Sequence, residues 1–405
     1  MQLDRVTHGF PVFDHDVRHA QQLNHDASCD RSLANRFRVI RVFAVKPRQI
    51  LVSIPIMFSC ARSAAPRFWI NGKLRVMNAL DRRLCVAPMM DWSDRHCRYL
   101  HRLLAPHALL YTEMIVAAAI VRGNAARLLE HHDAEHPVAL QLGGSDPAEL
   151  SVAARIGESF GYDEINLNVG CPSDRVKSGA FGACLMLEPS LVAECVRAMR
   201  DAVQVPVTVK CRIGIDQQDS YEFFAGFVAA VVAAGADAMI VHARAAILGA
   251  ALSPKENREI PPLRHHYVHR LKAECPDLPL VINGGFSDLP AVLAQAGFGM
   301  DGVMLGRAAY HTPMLLAELE RAVIDPCWRV PELREIIEHM VVYARGQATR
   351  GVRLHSITRH MHGLMAGRDG ARAWRRFLSD VAGRPDAVPE TLFSSLPLLH
   401  QGKAA

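Results

Sequence analysis

The 405-residue sequence predicts an α/β fold, a parallel eight-stranded barrel ringed by helices, followed by an all-α domain. Three observations lead there. From residue 84 to residue 307, short apolar runs alternate with Ala- and Leu-rich amphipathic stretches, the texture of repeated β-α units. The runs number eight in roughly 240 residues, which is the count and size of a (β/α)8 TIM barrel. After Pro313 the strand pattern stops, and residues from 331 to 380 read as helices with arginine-rich faces.

Residues 1–76 hold no helix or strand period for long and are read as a poorly structured extension. Asp4, Asp14, Asp16, Asp26 and Asp30 are too many acids for a transit peptide, and no secretory pattern is present. An over-extended start, with translation beginning near Met77, is the expectation; N-terminal sequencing of the native protein tests it. The barrel is expected over 77–325, with strands at 84–89, 109–114, 137–142, 164–170, 206–212, 238–244, 280–284 and 302–307. Each reads as a near-continuous apolar run, as strands covered on both faces should. The run 223–236 is too short for a bilayer span and is interrupted by glycines, so it is read as a buried helix. Helices are expected over 326–405.

Composition narrows the class. Half the residues are apolar and 21% are charged, enough to build a large core and too few charges for a disordered chain. Ten cysteines without a Cys-x-x-Cys pair argue against a zinc site and a disulfide framework, so no metal is expected and a reducing cytoplasm fits. The net charge of +5 misleads: residues 1–76 hold twelve Lys/Arg against five Asp/Glu, leaving 34 against 36 in the rest. Local charge is more telling. Within 345–376, Arg345, Arg350, Arg353, Arg359, Arg368, Arg372, Arg375 and Arg376 face one acid, Asp369. Such an excess suits a phosphate backbone, though a solvated helix face explains a charge run equally well.

In such barrels the chemistry lies at the carboxyl ends of the strands. Strand three ends in Gln141, strand four leads to Asn168 and Cys171, strand five carries Lys210 and Arg212, and strand six carries His242 and Arg244. Polar groups inside apolar runs are costly to bury without partners, so several should converge on a shared polar ligand. Asn283-Gly284-Gly285 after strand seven and Gly306-Arg307 after strand eight place backbone N–H groups where barrels commonly hold phosphate. A phosphate-bearing ligand with a polar ring suggests FMN. Lys210 would then stabilise the charge of the reduced ring, with Gln141 and the backbone around Pro88 and Met89 on its other edges. His242 is a candidate for the phosphate or the ring edge; a satisfied core histidine is the bland alternative. Cys171 sits between Gly170 and Pro172 on a turn, placed to exchange a proton. Cys184 and Cys211 are its competitors, and the other cysteines read as small apolar residues.

The segments Ala-Pro-Met-Met-Asp-Trp-Ser-Asp-Arg-His-Cys-Arg (87–98), Tyr-Thr-Glu-Met (111–114), Gln-Leu-Gly-Gly-Ser-Asp-Pro (141–147) and Glu-Ile-Asn-Leu-Asn-Val-Gly-Cys-Pro-Ser-Asp-Arg-Val (164–176) resemble the tRNA-dihydrouridine synthases. Ser-Pro-Lys-Glu-Asn-Arg-Glu-Ile-Pro-Pro-Leu (253–263) and Ile-Thr-Arg-His-Met (357–361) point to the A-type subfamily. The likeness covers residues 80 to 380. It implies reduction of the C5–C6 double bond of uridines 20 and 20a in the tRNA D-loop, with FMN reduced by NADPH. By that resemblance Cys171 protonates C5 while hydride reaches C6. FMN contacts carry over to Pro88, Met89, Met90, Gln141, Lys210, His242, Asn283, Gly284, Gly285, Gly306 and Arg307. Contacts to tRNA carry over to Asn168, Lys255, Arg258 and Arg359. A monomer without membrane attachment is expected. Two departures stand out: the stretch 245–252 is about one residue longer than the pattern, and Cys211 replaces a common Thr, placing a second thiol near Lys210.

Two other readings remain open at this level. An FMN barrel acting on a small molecule would share the phosphate site without needing the basic helices, and a tRNA-binding chaperone would need neither flavin nor product.

Overall fold

The computed structural model describes residues 67–70, 73–76, 80–173, 179–248, 252–253 and 255–400. The expected extension therefore lies outside the described residues, except for an antiparallel hairpin, Arg67–Ile70 with Lys73–Val76. The stretch 245–252, expected to be lengthened, is likewise described only in part. All described elements belong to one unit formed by residues 62–405.

Eight parallel strands close into a barrel, each paired with its sequence neighbours and the last with the first. They are β1 (Leu84–Val86), β2 (Leu109–Val116), β3 (Val138–Gly143), β4 (Glu164–Val169), β5 (Val207–Arg212), β6 (Ala238–His242), β7 (Leu280–Asn283) and β8 (Gly302–Leu305). Every expected strand is present. The first, sixth and last end two or three residues earlier than the apolar pattern suggested, so Arg244 lies just past β6. Pro88 follows β1 within a turn, and Arg307 opens a short helix rather than closing a strand.

Between strands the helices start on legible signals. Asp94, Asp146 and Ser220 each cap a helix by accepting backbone N–H bonds, at α1 (Arg95–Leu104), α2 (Pro147–Ser159) and α3 (Tyr221–Ala233) respectively. Pro147 occupies the first turn of α2, where its missing N–H costs nothing. The helix expected over 223–236 is α3, and it buries Tyr221, Phe224, Phe227, Val228 and Val231.

Two cores result. The larger lies between the strands and the helices and runs on into the C-terminal helices. The smaller fills the barrel interior with Cys85, Ala87, Leu109, Tyr111, Ala139, Ile240, Val281 and Met304. One strand departs from the expected texture. β4 reads Glu-Ile-Asn-Leu-Asn-Val, alternating polar and apolar with every residue buried, because its inward side completes a polar half of the barrel interior.

The C-terminal region contains α4 (Leu333–Ala348), α5 (Leu354–Thr358), α6 (Ala371–Asp380) and two 3-10 segments, His362–Met365 and Pro389–His400. It docks on α1: Tyr343 stacks on Tyr99 with ring centroids 3.9 Å apart, and its hydroxyl lies 2.8 Å from His96 Nδ1.

Candidate active site

Strand register brings the expected polar residues to one end of the barrel. Asn168 pairs with Lys210, Arg212 with His242, and His242 with Asn283. Lys210 points inward, and its Nζ donates to Asn283 Oδ1 at 3.3 Å. Burial, then the neighbouring Arg212, pushes its pKa down to about 8. His242 is held well below the usual histidine range by burial and by Arg212, Lys210, Arg244 and Arg258, so its imidazole is neutral at pH 7. These cations gather with few acids. Glu259 pairs with Arg307 at 2.7 Å, while Arg258 keeps a buried Nε without a partner. A barrel mouth lined this way carries an excess of positive charge.

The glycine turn after β7 lets His242 and Leu263 pack closely against the backbone. Gly284 and Gly285 sit at φ +115° and +82°, where a side chain is strained. A Cβ would also come within 2.7 Å of His242 Cδ2 at 284 and 2.5 Å of Leu263 Cδ1 at 285. His265 Nε2 donates to the Gly284 carbonyl at 2.7 Å and fixes the turn. Gly306 differs: its φ is −108°, and a Cβ there would meet nothing closer than 3.8 Å. Arg307 is exposed and engaged with Glu259, so its charge is shared rather than free.

Across the mouth, the turn after β1 carries half-buried Pro88 and Met89 and exposed Met90. Ser93 locks it from both directions, accepting Met89 N–H at 2.8 Å and donating to Met89 O at 3.1 Å. Asp91, at φ +65°, donates its N–H to the Glu113 carboxylate. Burial raises the Glu113 pKa.

Cys171 lies half-buried on a turn held at three points. Asn168 Oδ1 accepts its N–H at 3.0 Å and that of Gly170 at 3.1 Å, Ala183 N–H donates to its carbonyl at 2.9 Å, and Arg212 Nε donates to the Gly170 carbonyl at 2.9 Å. Arg212 also reaches the carbonyls of Ala245 and Asn257 at 2.9 and 3.0 Å, tying the β6 loop to the same cation. Sequence reasoning noted Arg212 on its strand but missed this bracing role; its place two residues after Lys210, on the same strand face, was the available signal. Cys211, by the same alternation, faces the outer core, and burial pushes its thiol up to about 12. It is therefore no second thiol of the mouth. Cys184 is half-buried, with its Sγ 3.1 Å from the Phe181 carbonyl.

The residues expected to touch RNA separate. Lys255 is exposed and Arg258 half-buried on the β6 loop. Asn168 is turned inward, with its amide bonded to Gln141 and to the Cys171 turn. Arg359 is paired with Asp94 at 2.5 Å. The arginine excess also shrinks once partners from elsewhere are counted, since Arg345 pairs with Glu390 at 2.6 Å and Arg350 pairs with Glu130. Arg353, Arg368, Arg372, Arg375 and Arg376 remain exposed, three of them on α6 opposite buried Trp374 and Leu378. Among the described residues no group of metal-ligating side chains gathers, and no helix is long and apolar enough to cross a membrane.

The family model described as Dihydrouridine synthase (Dus) matches residues 85–396. A protein of Xanthomonas campestris pv. campestris named tRNA-dihydrouridine(20/20a) synthase is 55% identical over 305 residues, 75% of this chain and 90% of that one. Relatives of the same name from Shewanella oneidensis and Yersinia pestis are 52% and 51% identical, over 77% and 78% of this chain and 92% and 91% of their own.

Proposed function

The chain belongs to the dihydrouridine synthase family, and from that membership we propose that it reduces uridine to 5,6-dihydrouridine in tRNA, at positions 20 and 20a of the D-loop. The observation that carries this reading is the pairing, at one barrel mouth, of a half-buried, inward-pointing cation short of partners with a braced thiol. Lys210 has one amide oxygen at 3.3 Å, and Cys171 rides the turn beside its strand.

FMN fits the mouth. The unpartnered Arg258 Nε and the cations gathered around His242 support a phosphate-bearing ligand there. Gln141, Lys210, His242 and Asn283 would line its ring edge and the approach to its phosphate, with Gly284, Gly285, Gly306 and Arg307 beside the phosphate and Pro88, Met89 and Met90 across the mouth. Bound FMN, reduced by NADPH, supplies the hydride that reaches C6 of the uracil. The chain supplies the rest. The Lys210 ammonium offsets negative charge beside the ring, and neutral His242 adds none of its own. Hydride arrival leaves an enolate-like anion on the pyrimidine, and the Cys171 thiol gives its proton to C5 and then regains one from solvent. A uridine must leave its stack to reach the mouth, at a cost of a few kcal/mol. Lys255, Arg258 and the five exposed arginines of the helical region are assigned to grip the RNA and offset that cost. Asn168 is assigned to hold the Cys171 turn, and Arg359 to join the two regions, each with any RNA contact secondary. The barrel, 77–325, is assigned the chemistry and 326–405 the tRNA, and the protein is placed in the cytoplasm as a monomer.

The test is direct. Purified protein should carry a flavin spectrum and, with NADPH, form dihydrouridine in tRNA from a strain lacking the enzyme. Cys171→Ala should keep flavin and tRNA binding while product formation falls by roughly two or more orders of magnitude. A colourless protein that makes no dihydrouridine with added FMN, or near-normal turnover by the alanine variant, contradicts the reading.

A further inference from the structure

The polar half of the barrel interior contains side chains that neither flavin nor RNA explains. Glu164, Asn166 and Asn168 all face inward from β4, and Glu164 and Asn166 are fully buried. At the closed end, Glu164 pairs with Arg82 at 2.5 Å and accepts hydrogen bonds from Tyr111 at 2.6 Å and Thr208 at 2.5 Å.

A carboxylate only accepts, so Thr208 spends its single proton on Glu164 and leaves its oxygen to accept from the next residue. Asn166 Nδ2 donates to that oxygen at 2.8 Å. The Asn166 amide is thereby oriented, and its Oδ1 accepts from Gln141 Nε2 at 2.7 Å. Gln141 must then present Oε1, which accepts from Asn168 Nδ2 at 2.8 Å. Asn168 Oδ1 is left to hold the N–H groups of Gly170 and Cys171. Every bond runs in one direction, over about 13 Å of strand rise. Flipping any one amide would set donor against donor on one side and acceptor against acceptor on the other.

We propose that this chain of hydrogen bonds is a positioning relay: Glu164, at the closed end of the barrel, fixes the amide orientations of Asn166, Gln141 and Asn168 and so the pose of the Cys171 turn. Thr208 is the link that converts a carboxylate into an oriented amide. Glu164 and Thr208 are positioning residues, since neither reaches the reacting atoms. The relay rests on the proposed function only in taking Cys171 as the proton donor.

Thr208→Val keeps shape and removes the link, and Thr208→Ser restores it. In the full chain, T208V should speed alkylation of Cys171 by iodoacetamide at least threefold, read by mass spectrometry of its peptide, while buried Cys211 stays unlabelled as a sign of intact fold. With tRNA, kcat should drop about tenfold and KM should stay within twofold, in keeping with a displaced proton donor. T208S should recover both. Wild-type alkylation and kcat in T208V overturn the relay. Should T208V fail to fold, selectively labelled wild-type protein decides: the side-chain amide protons of Gln141, Asn166 and Asn168 should resist exchange, and exchange as fast as that of exposed amides overturns the relay. Missing dihydrouridine in the wild type would instead sink the proposed function and leave the alkylation and exchange results standing.

Discussion

Lys210 shows how much a single residue can carry. In the sequence it is one lysine inside Val-Thr-Val-Lys-Cys-Arg, conspicuous because burying a cation is costly. In the fold it points into the barrel with its pKa lowered to about 8. Below pH 8 both the folded and the unfolded chain hold the proton, so the cost of burying the charge is carried in full. Between pH 8 and the ordinary lysine value of 10.5 the folded chain releases that proton and the cost fades. An anion beside Lys210 offsets the cost only where the lysine is charged. The rise in melting temperature on adding FMN should therefore be larger at pH 7 than at pH 9.5. Lys210→Met should melt higher than wild type without ligand yet bind FMN roughly ten- to hundredfold more weakly, the range for a lost charge-assisted hydrogen bond. Thermal scans and a fluorescence titration check both arms; equal affinity in the variant removes Lys210 from the flavin site. Asn168 was harder to read. Its type and place suggested a ligand contact, but only the neighbouring strand reveals that Gln141 engages its amide first.

At the scale of elements, the motif 87–98 turns out to be a joint. Asp94 caps α1 through the N–H groups of His96 and Cys97, and it also pairs with Arg359 and His360 of the helical region. Hydrogen bonds from these partners outweigh its burial and hold its carboxyl well below the usual range. Arg98, three residues into the helix, donates to Glu135 at 2.6 Å and to the Ser93 carbonyl at 2.7 Å, anchoring the same corner. Asp94→Asn separates the two jobs, because asparagine caps a helix as well as aspartate but carries no charge. It should cost roughly 1–2 kcal/mol, between exposed and buried ion pairs, and weaken tRNA binding more than flavin binding. Denaturant unfolding and paired titrations measure this; tRNA affinity equal to wild type would show that the joint does not orient the helices. Sequence could not separate shared arginines from free ones, because Glu130, Glu390 and Asp94 lie far along the chain from the residues they pair with.

For the whole molecule, stability should depend on acid in a defined direction. Burial lowers the pKa of His96 to about 4 and that of His101 to about 3. Folded-state values below the unfolded value of about 6.5 mean that these groups add stability above pH 6.5 and lose it as pH falls through that value toward their own. The melting temperature should decline steadily from pH 7 to pH 4.5, and a flat profile over that window contradicts the burial of neutral imidazoles. Sequence alone determined the barrel, its eight strands, the helices after Pro313 and the thiol on its turn. Those rest on local periodicity, caps and glycine turns, which neighbouring residues impose without outside help. Only tertiary structure decided which charges are shared, that Cys211 faces away from the mouth, that Arg212 braces two loops, and that Glu164 stands at the head of an oriented chain. Each of these depends on contacts between residues tens to hundreds of positions apart, and closing the barrel is what brings them within reach.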